Sequence, residues 1–126
     1  MHTILPLSIA VLVAVGVLGI GIAYLVSPAA IVGSFGLKLP ALDPDTRAWL
    51  RLKGVRDSGC GLLVLMLMLC AERRTLGAAL LVLALIPFGD MCVVLSSGGS
   101  KQKALSIHGL TCVVLLIAGL LFTHIL

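Results

Sequence analysis

The chain contains apolar runs that are too long and too free of charge for the core of a small soluble domain. Residues 3–26 include no Asp, Glu, Lys or Arg, and a helix of about 20 apolar residues crosses the roughly 30 Å hydrocarbon layer of a bilayer. Only 11% of the 126 residues are charged, against about 25% in typical soluble domains. The sequence therefore predicts an integral membrane protein with one domain, residues 1–126.

The sequence predicts an all-α, integral membrane four-helix bundle. The four apolar segments lie at about 3–26, 44–71, 75–96 and 104–126. Asp43 as N-cap and Pro44 at the first helical position mark the start of the second helix. A charged turn at 72–74 and a glycine-rich turn in "SSGGSKQK" separate the later helices. Residues 27–42 hold two prolines and two glycines, so we expect them to form an interfacial connector between helices one and two.

The first segment has two interpretations, because the sequence "SPAA" that follows it resembles a signal-peptide cleavage site. A signal peptide usually begins with Lys or Arg and has an apolar core of about 7–15 residues. This segment begins without a cation and its apolar run is longer. We therefore expect a retained membrane helix.

The distribution of Lys and Arg predicts the orientation, since cytoplasmic loops carry the excess of cations. The turn between helices two and three holds only Arg73 and Arg74. The first and third connections, with the adjoining start of helix two, hold six cations: Lys38, Arg47, Arg51, Lys53, Lys101 and Lys103. We expect a multi-pass protein with both termini on the non-cytoplasmic side and with Tyr24 and Trp49 near the cytoplasmic boundary.

Four polar residues on three helices are expected to share one depth in the membrane. Arg56 lies 17 residues before Arg73, the centre of one turn, and Asp90 lies 17 residues after it. Equal helical rise puts both about 25 Å from that turn, at roughly 1.5 Å per residue. Ser100 is the centre of the next turn, and the residue as far after it as Asp90 is before it is residue 110. His108 is two residues from that position and is therefore expected at nearly the same depth. Asp57, beside Arg56, completes this polar layer.

The helical period also predicts which faces of helix two are polar. Lys53, Arg56 and Asp57 lie within about 100° of one another, so helix two can turn them into the bundle. Gly54, Ser58 and Gly61 form a second stripe, and small residues at this spacing allow close helix contact. Helix two is therefore expected to pack on one side while it presents charge on another.

The polar layer has a structural and a functional interpretation. In the first, the Arg56 side chain snorkels toward the interface, Lys53 pairs with Asp57, and Asp90 bonds to Arg56, so that these bonds hold the helices together. In the second, the layer is a site, because each intramembrane charge costs about 2.5–3.5 kcal/mol even on lenient insertion scales. Asp90 or His108 would then exchange a proton, Asp57 would orient or balance charge, and Arg56 would bind an oxygen or developing anion.

Further features complete the expected site. Lys53 and Tyr24 are candidate substrate-binding residues. Pro87 leaves the carbonyl of Leu83 without its usual donor, so a kink there would widen the bundle beside Asp90. No metal is expected, because two aspartates and one histidine beside Arg and Lys make a poor cation site, and no cofactor is expected. The four cysteines lie in apolar runs without close pairs, as small buried residues do.

Three stretches, "GLKLP…KGVRDSGCG", "LIPFGDMCVVL" and "ALSIHG", resemble the small four-helix, DoxX-like membrane proteins of unknown function found in bacteria and filamentous fungi. The residues that match that pattern are Lys53, Gly54, Arg56, Asp57, Pro87, Asp90 and His108. The resemblance covers most of the chain and implies the fold without a settled activity. Fungal members are often encoded among natural-product biosynthesis genes, which implies a lipophilic metabolite.

The leading functional hypothesis is a small intramembrane enzyme that uses acid–base chemistry on a lipophilic substrate, as an isomerase, a cyclase or a lyase. The alternatives are a small-molecule transporter or binding protein and a non-catalytic membrane scaffold. The expected partners are the lipid bilayer and a lipophilic small molecule. The sequence is also compatible with a homo-oligomer. No basic arm or aromatic platform indicates nucleic acid.

The orientation can be tested by labelling single cysteines in a cysteine-free background. An impermeant maleimide should label the Arg74→Cys variant from outside the cell, and should label the Gln102→Cys variant only after permeabilisation. The physical reason is the excess of cations around Gln102. Labelling of Gln102→Cys from outside alone would contradict the predicted orientation.

Overall fold

The structure, a computed structural model, describes residues 4–124, and all regular secondary structure in that range is helical. Short helical turns join the longer helices. In chain order the elements are α1 (Ile4–Val26), α2 (Pro28–Ile31), a 3₁₀ turn (Val32–Ser34), α3 (Pro44–Cys70), α4 (Arg73–Leu83), α5 (Leu85–Ser96), α6 (Lys101–Lys103), a π-helical segment (Ala104–Gly109) and α7 (Leu110–His124).

Within residues 4–124, three helical stretches are long and apolar enough to cross a membrane: Ile4–Val26, Arg73–Ser96 and Lys101–Thr123. At most 33% of the most apolar window of each stretch is buried inside the protein, so most of these side chains face outward, as the lipid-facing residues of a membrane bundle do. The chain is therefore a multi-pass membrane protein. The 27-residue helix α3 is long enough to cross, but Lys53, Arg56 and Asp57 interrupt its apolar sequence.

The start of α3 confirms the predicted cap. The Asp43 carboxylate accepts a hydrogen bond from the Thr46 amide at 2.7 Å, and Pro44 is the first helical residue. That backbone hydrogen bond lowers the pKa of Asp43. The cap therefore contributes its stability above the ordinary pKa of an aspartate, and the contribution is lost as the pH falls through the lowered value.

Three of the other helix ends differ from the sequence prediction by one to three residues, whereas the predicted ends at Val26 and Ser96 agree with the structure. Helix α3 ends at Cys70 instead of 71. Helix α4 begins at Arg73 instead of 75, because the Glu72 carbonyl already accepts a helical hydrogen bond from Leu76 at 3.0 Å. The last helical stretch begins at Lys101 instead of 104, since the Ser100 hydroxyl caps it by accepting from the Lys103 amide at 3.3 Å.

Two irregularities shape the backbone beside the polar layer. The third stretch divides at Ala84 into α4 and α5, three residues before Pro87, which can donate no backbone hydrogen bond. The fourth stretch is π-helical from Ala104 to Gly109. A π-bulge inserts extra backbone into a helix and changes the direction of the side chains that follow it, and this one carries His108.

Helices α1 and α3 pack in close antiparallel contact through glycines. A Cβ on Gly61 would lie 2.7 Å from the Ala14 carbonyl oxygen, and one on Gly54 would lie 2.8 Å from the Gly21 carbonyl oxygen. Real Cβ atoms do not approach backbone that closely, so only glycine fits. The predicted small-residue stripe on the second helix is therefore its packing face against the first, although the Ser58 hydroxyl there has no hydrogen-bond partner among the described residues.

Helices α4 and α7 form a second glycine-mediated pair. A Cβ on Gly77 would lie 2.9 Å from the Gly119 carbonyl oxygen, and one on Gly119 would lie 3.0 Å from the Gly77 carbonyl oxygen. Helices α1 and α7 join the two pairs. The apolar core lies between the pairs, on the side of Arg73, and consists of Ala10, Ala14, Val64, Leu76, Leu80, Ala84, Cys112, Leu115, Ala118 and Phe122.

The connector between α1 and α3 docks on the turn before α6. The Gly36 carbonyl accepts a hydrogen bond from the Ser100 amide at 2.8 Å, and the Lys103 ammonium donates to the Gly33 carbonyl at 2.7 Å. Gly36 has a φ of +105° and lies against the Lys103 side chain, a conformation that glycine adopts without strain. The connector is thus held over the end of the bundle opposite Arg73.

The glycine contact between α1 and α3 predicts different outcomes for two alanine substitutions in one helix. Gly61→Ala should destabilise the protein by about 1–3 kcal/mol, as overpacking does. Gly59→Ala should be neutral or stabilising, because a Cβ at Gly59 meets nothing within 4 Å and alanine favours helix over glycine. Thermal unfolding in detergent, followed by circular dichroism, measures both. Equal melting temperatures would contradict this packing.

Candidate polar cavity within the helix bundle

A cavity of about 290 Å³ lies between the helices at the level of the predicted polar layer. Its walls come from α1, the connector, α3, α4, α5, the π-helical segment and α7. Most of the lining is aliphatic, with residues such as Val17, Ile20, Ile86 and Leu115. Its polar side chains are Tyr24, Ser34, Lys53, Asp57, Cys60, Asp90, His108 and Thr111.

Lys53 and Asp57 form an ion pair on the wall provided by α3. The Lys53 ammonium donates to Asp57 Oδ2, and Asp57 is only 7% exposed. The same ammonium lies 4.8 Å from the centre of the Tyr24 ring and 4.9 Å from the centre of the Phe35 ring. Such cation–π contacts strengthen when water is excluded. Lys53 is therefore held by one carboxylate and two aromatic rings.

Arg56 bridges two carboxylates from the outside of the cavity. Its Nε and Nη2 atoms lie 3.1 and 3.0 Å from Asp57 Oδ1, and Nη2 lies 3.9 Å from Asp90 Oδ2. Within residues 4–124 the cavity lining does not include Arg56, and its side chain is 47% exposed. The expected proximity to Asp90 is present, but the guanidinium extends around Asp57 toward the surface, as long cationic side chains do.

Asp90 and His108 face each other across α5 and the π-helical segment. His108 Nδ1 lies 3.9 Å from Asp90 Oδ2, which is too long for a direct hydrogen bond. The other ring nitrogen, Nε2, lies 2.8 Å from the Phe35 carbonyl oxygen. Because a carbonyl only accepts, Nε2 carries the proton and donates it. In the neutral ring, Nδ1 is then the free acceptor and faces Asp90.

The connector supplies site contacts that the sequence pattern does not predict. The Phe35 ring packs against the His108 ring with the ring centres 4.5 Å apart and an interplanar angle of 61°. Ser34 also lines the cavity. The only sequence signal for these residues was the apolar character of a segment too broken to span. Thr111 was missed as well, although it lies one turn after His108.

The structure thus brings the predicted site residues together around one cavity, with the exception of Arg56. Tyr24, Lys53, Asp57, Asp90 and His108 line one cavity, and Arg56 contacts the two carboxylates from behind. Among the described residues, no group of three His, Cys, Asp or Glu side chains is arranged to hold a metal ion. The site can bind an apolar body, donate hydrogen bonds at one end and exchange a proton there.

These features define a multi-pass helical membrane protein with a buried polar site. The chain belongs to the family described as "Domain of unknown function (DUF4267)", whose pattern matches residues 14–122. That range includes every site residue described above. Comparisons with curated proteins and with solved structures give no significant match.

The contact between Arg56 and Asp90 predicts partial rescue by charge exchange. Arg56→Asp alone should lower the melting temperature, because it places three carboxylates together without a guanidinium. Adding Asp90→Arg should restore part of the loss, since opposite charges then face each other again across α3 and α5. A melting temperature of the double variant below that of both single variants would count against direct coupling.

Proposed function

We propose that this protein is a small intramembrane enzyme that moves a proton on a lipophilic substrate bound in the cavity. The supporting observation is the arrangement of His108. Its Nε2–H is fixed by the Phe35 carbonyl at 2.8 Å, and its free Nδ1 faces Asp90 at 3.9 Å on the wall of a largely apolar cavity. A histidine with one nitrogen fixed and the other facing a carboxylate is suited to general acid–base catalysis.

In this proposal Asp90 and His108 exchange the proton. The 3.9 Å between Asp90 Oδ2 and His108 Nδ1 leaves both groups able to reach a ligand atom or a water placed between them, and catalytic hydrogen bonds often tighten when substrate binds. Isomerisation and cyclisation both need a proton removed at one atom of the substrate and returned at another. An acid and a base on one cavity wall supply both steps.

The cations have supporting roles that follow from their positions. Lys53 faces the cavity and can donate to a substrate oxygen, whereas Arg56 lies behind the wall. Arg56 therefore positions Asp90 and Asp57 and balances their charge instead of touching the substrate. Asp57 holds both cations, and Tyr24 covers the Lys53 ammonium.

The proposed membrane arrangement has four crossing helices with both termini on the non-cytoplasmic side. The close contacts along α1, from Ala14 against Gly61 to Gly21 against Gly54, support a crossing by α3. A helix that lies beside a membrane span over this length shares its depth. The connector then lies at the cytoplasmic interface and covers the polar end of the cavity.

The lipophilic substrate is supported by the aliphatic walls and by the place of the cavity within the bilayer span. A role in natural-product biosynthesis rests on the resemblance to DoxX-like proteins alone. A binding or transport protein would use the same cavity without chemical change of its ligand. A scaffold would need the hydrogen bonds and ion pairs but no proton exchange.

The acid–base role predicts which substitutions stop turnover. Asp90→Asn and His108→Ala should each lower the conversion of a lipophilic metabolite by about 10²–10⁴-fold, the usual contribution of a general acid or base. Asn keeps the shape of Asp and its hydrogen bonds but exchanges no proton. Asp57→Asn should reduce the rate less, since it only weakens the hold on Lys53 and Arg56. Conversion by membranes that contain each variant, analysed by mass spectrometry, measures these effects.

Asp45→Asn is the matched control for the aspartate variants, because Asp45 is exposed in the first turn of α3, far from the cavity. Expression and helix content should be equal in all variants. If Asp90→Asn converts the substrate as fast as the wild type, Asp90 has no part in proton transfer and the structural interpretation of the polar layer is favoured. Uptake into proteoliposomes with no chemical change would favour transport.

A further inference from the structure

We propose that the cavity selects a small, electrically neutral lipophile with a ketone at one end, and that it enolises this ketone. This inference rests on the proposed acid–base function and names the substrate class of the same site. Three observations carry it: the balance of charge on the cavity wall, the common position of Lys53 and His108 beside Phe35, and the size of the cavity.

The charges on the cavity wall already have partners. Lys53 is paired with Asp57, and Asp90 has the guanidinium of Arg56 at 3.9 Å. A carboxylate ligand would enter beside two aspartates, and an ammonium ligand would enter beside Lys53, with the Arg56 guanidinium behind the wall. Bringing an unpaired charge into a largely apolar site is unfavourable unless the charge gains a new partner. A neutral ligand avoids this cost and still benefits from the aliphatic walls.

A hydrogen-bond donor, Lys53, and a proton acceptor, His108, lie beside the same aromatic ring, and both line the cavity. The Lys53 ammonium lies 4.9 Å from the centre of the Phe35 ring, and the centre of the His108 ring lies 4.5 Å from it. A carbonyl group with its neighbouring carbon has the size to contact both. The oxygen would accept from Lys53, and the hydrogen on the adjacent carbon would face His108 Nδ1.

The volume of about 290 Å³ lies near the lower end of the range for ligand pockets, which favours a small ligand. A single chain or a small ring system would fit, with its polar end toward the connector.

The chemical step needs no further reactant. His108 Nδ1 takes the proton from the carbon beside the carbonyl, the C–H electron pair forms a carbon–carbon double bond, and the carbonyl electrons move to oxygen. Lys53 stabilises the resulting enolate by donating to that oxygen. The proton returns to the same carbon, or to a conjugated carbon further along, in which case a double bond has moved.

The binding test compares three probes of equal chain length: 2-undecanone, undecanoic acid and undecylamine. Native mass spectrometry of the wild type from detergent micelles should show one 2-undecanone per chain and binding of the acid and the amine weaker by about tenfold or more. Lys53→Met should weaken ketone binding by about tenfold, and Lys101→Met, at an exposed lysine, should not. Equal or tighter binding of either charged probe overturns the inference.

Removal of Lys53 leaves Asp57 with one partner fewer, so Lys53→Met combined with Asp57→Asn serves as the second variant. This double variant keeps the local charge unchanged, and circular dichroism reports whether it folds. Loss of ketone binding by the folded double variant supports the donor role. Undiminished binding overturns it. The comparison of the three probes on the wild type tests the ligand class even if these variants do not fold.

The chemical test follows deuterium uptake by 2-undecanone in D₂O, because enolisation exchanges the hydrogens beside a carbonyl. The wild type should accelerate exchange at the carbons beside the carbonyl, and His108→Gln should not. Ketone binding without exchange would retain the ligand class and count against acid–base catalysis. Absence of ketone binding, together with Asp90-dependent turnover of a different lipophile, would overturn the ligand class and retain the catalytic proposal.

Discussion

The hydrogen bond from His108 to the Phe35 carbonyl is the interaction on which the site depends. It joins residues 73 positions apart in the chain, at 2.8 Å. His108 is only 6% exposed, and a buried polar group without a partner costs about 1–3 kcal/mol. The bond therefore holds the connector against the π-helical segment and fixes the imidazole tautomer. It also places the Phe35 ring where it contacts both His108 and the Lys53 ammonium.

The charged groups of the site form a chain of alternating sign. Lys53 contacts Asp57, Asp57 contacts Arg56, and Arg56 reaches Asp90, which faces His108. Each ion in a bilayer is costly alone, but here every carboxylate lies beside a cation. This chain of groups ends at His108, whose Nδ1 faces Asp90 at 3.9 Å.

Regular helix geometry explains which parts of this arrangement the sequence could predict. Arg56 and Asp90 meet because both lie equally far from the turn at Arg73, and helical rise is constant. The glycine stripe packs as expected because only glycine permits backbone contact. The outward course of Arg56 could not be read from the helical period, since a long side chain reaches past the direction of its own Cβ.

Regular helix geometry does not predict the positions of the connector and the π-helical segment. Phe35 belongs to a stretch without helical or strand period, so nothing in the local pattern indicates that its carbonyl meets His108. The π-helical segment changes the direction of His108 relative to a regular helix, and it has no recognised sequence signal. Both features bring distant residues together, and tertiary contacts determine them.

The packing of the helices also indicates where the bundle can open. Helices α1 and α3 are joined by glycine contacts, as are α4 and α7, and α1 contacts α7. The seam between α3 and α5 has no such contact and is bridged by the 3.9 Å ion pair of Arg56 with Asp90. An opening that admits a ligand from the lipid would separate this seam first, because an exposed ion pair is weaker than a packed helix interface. Asp90 on α5 flanks that seam, so in the proposed function ligand access and proton exchange would both involve α5.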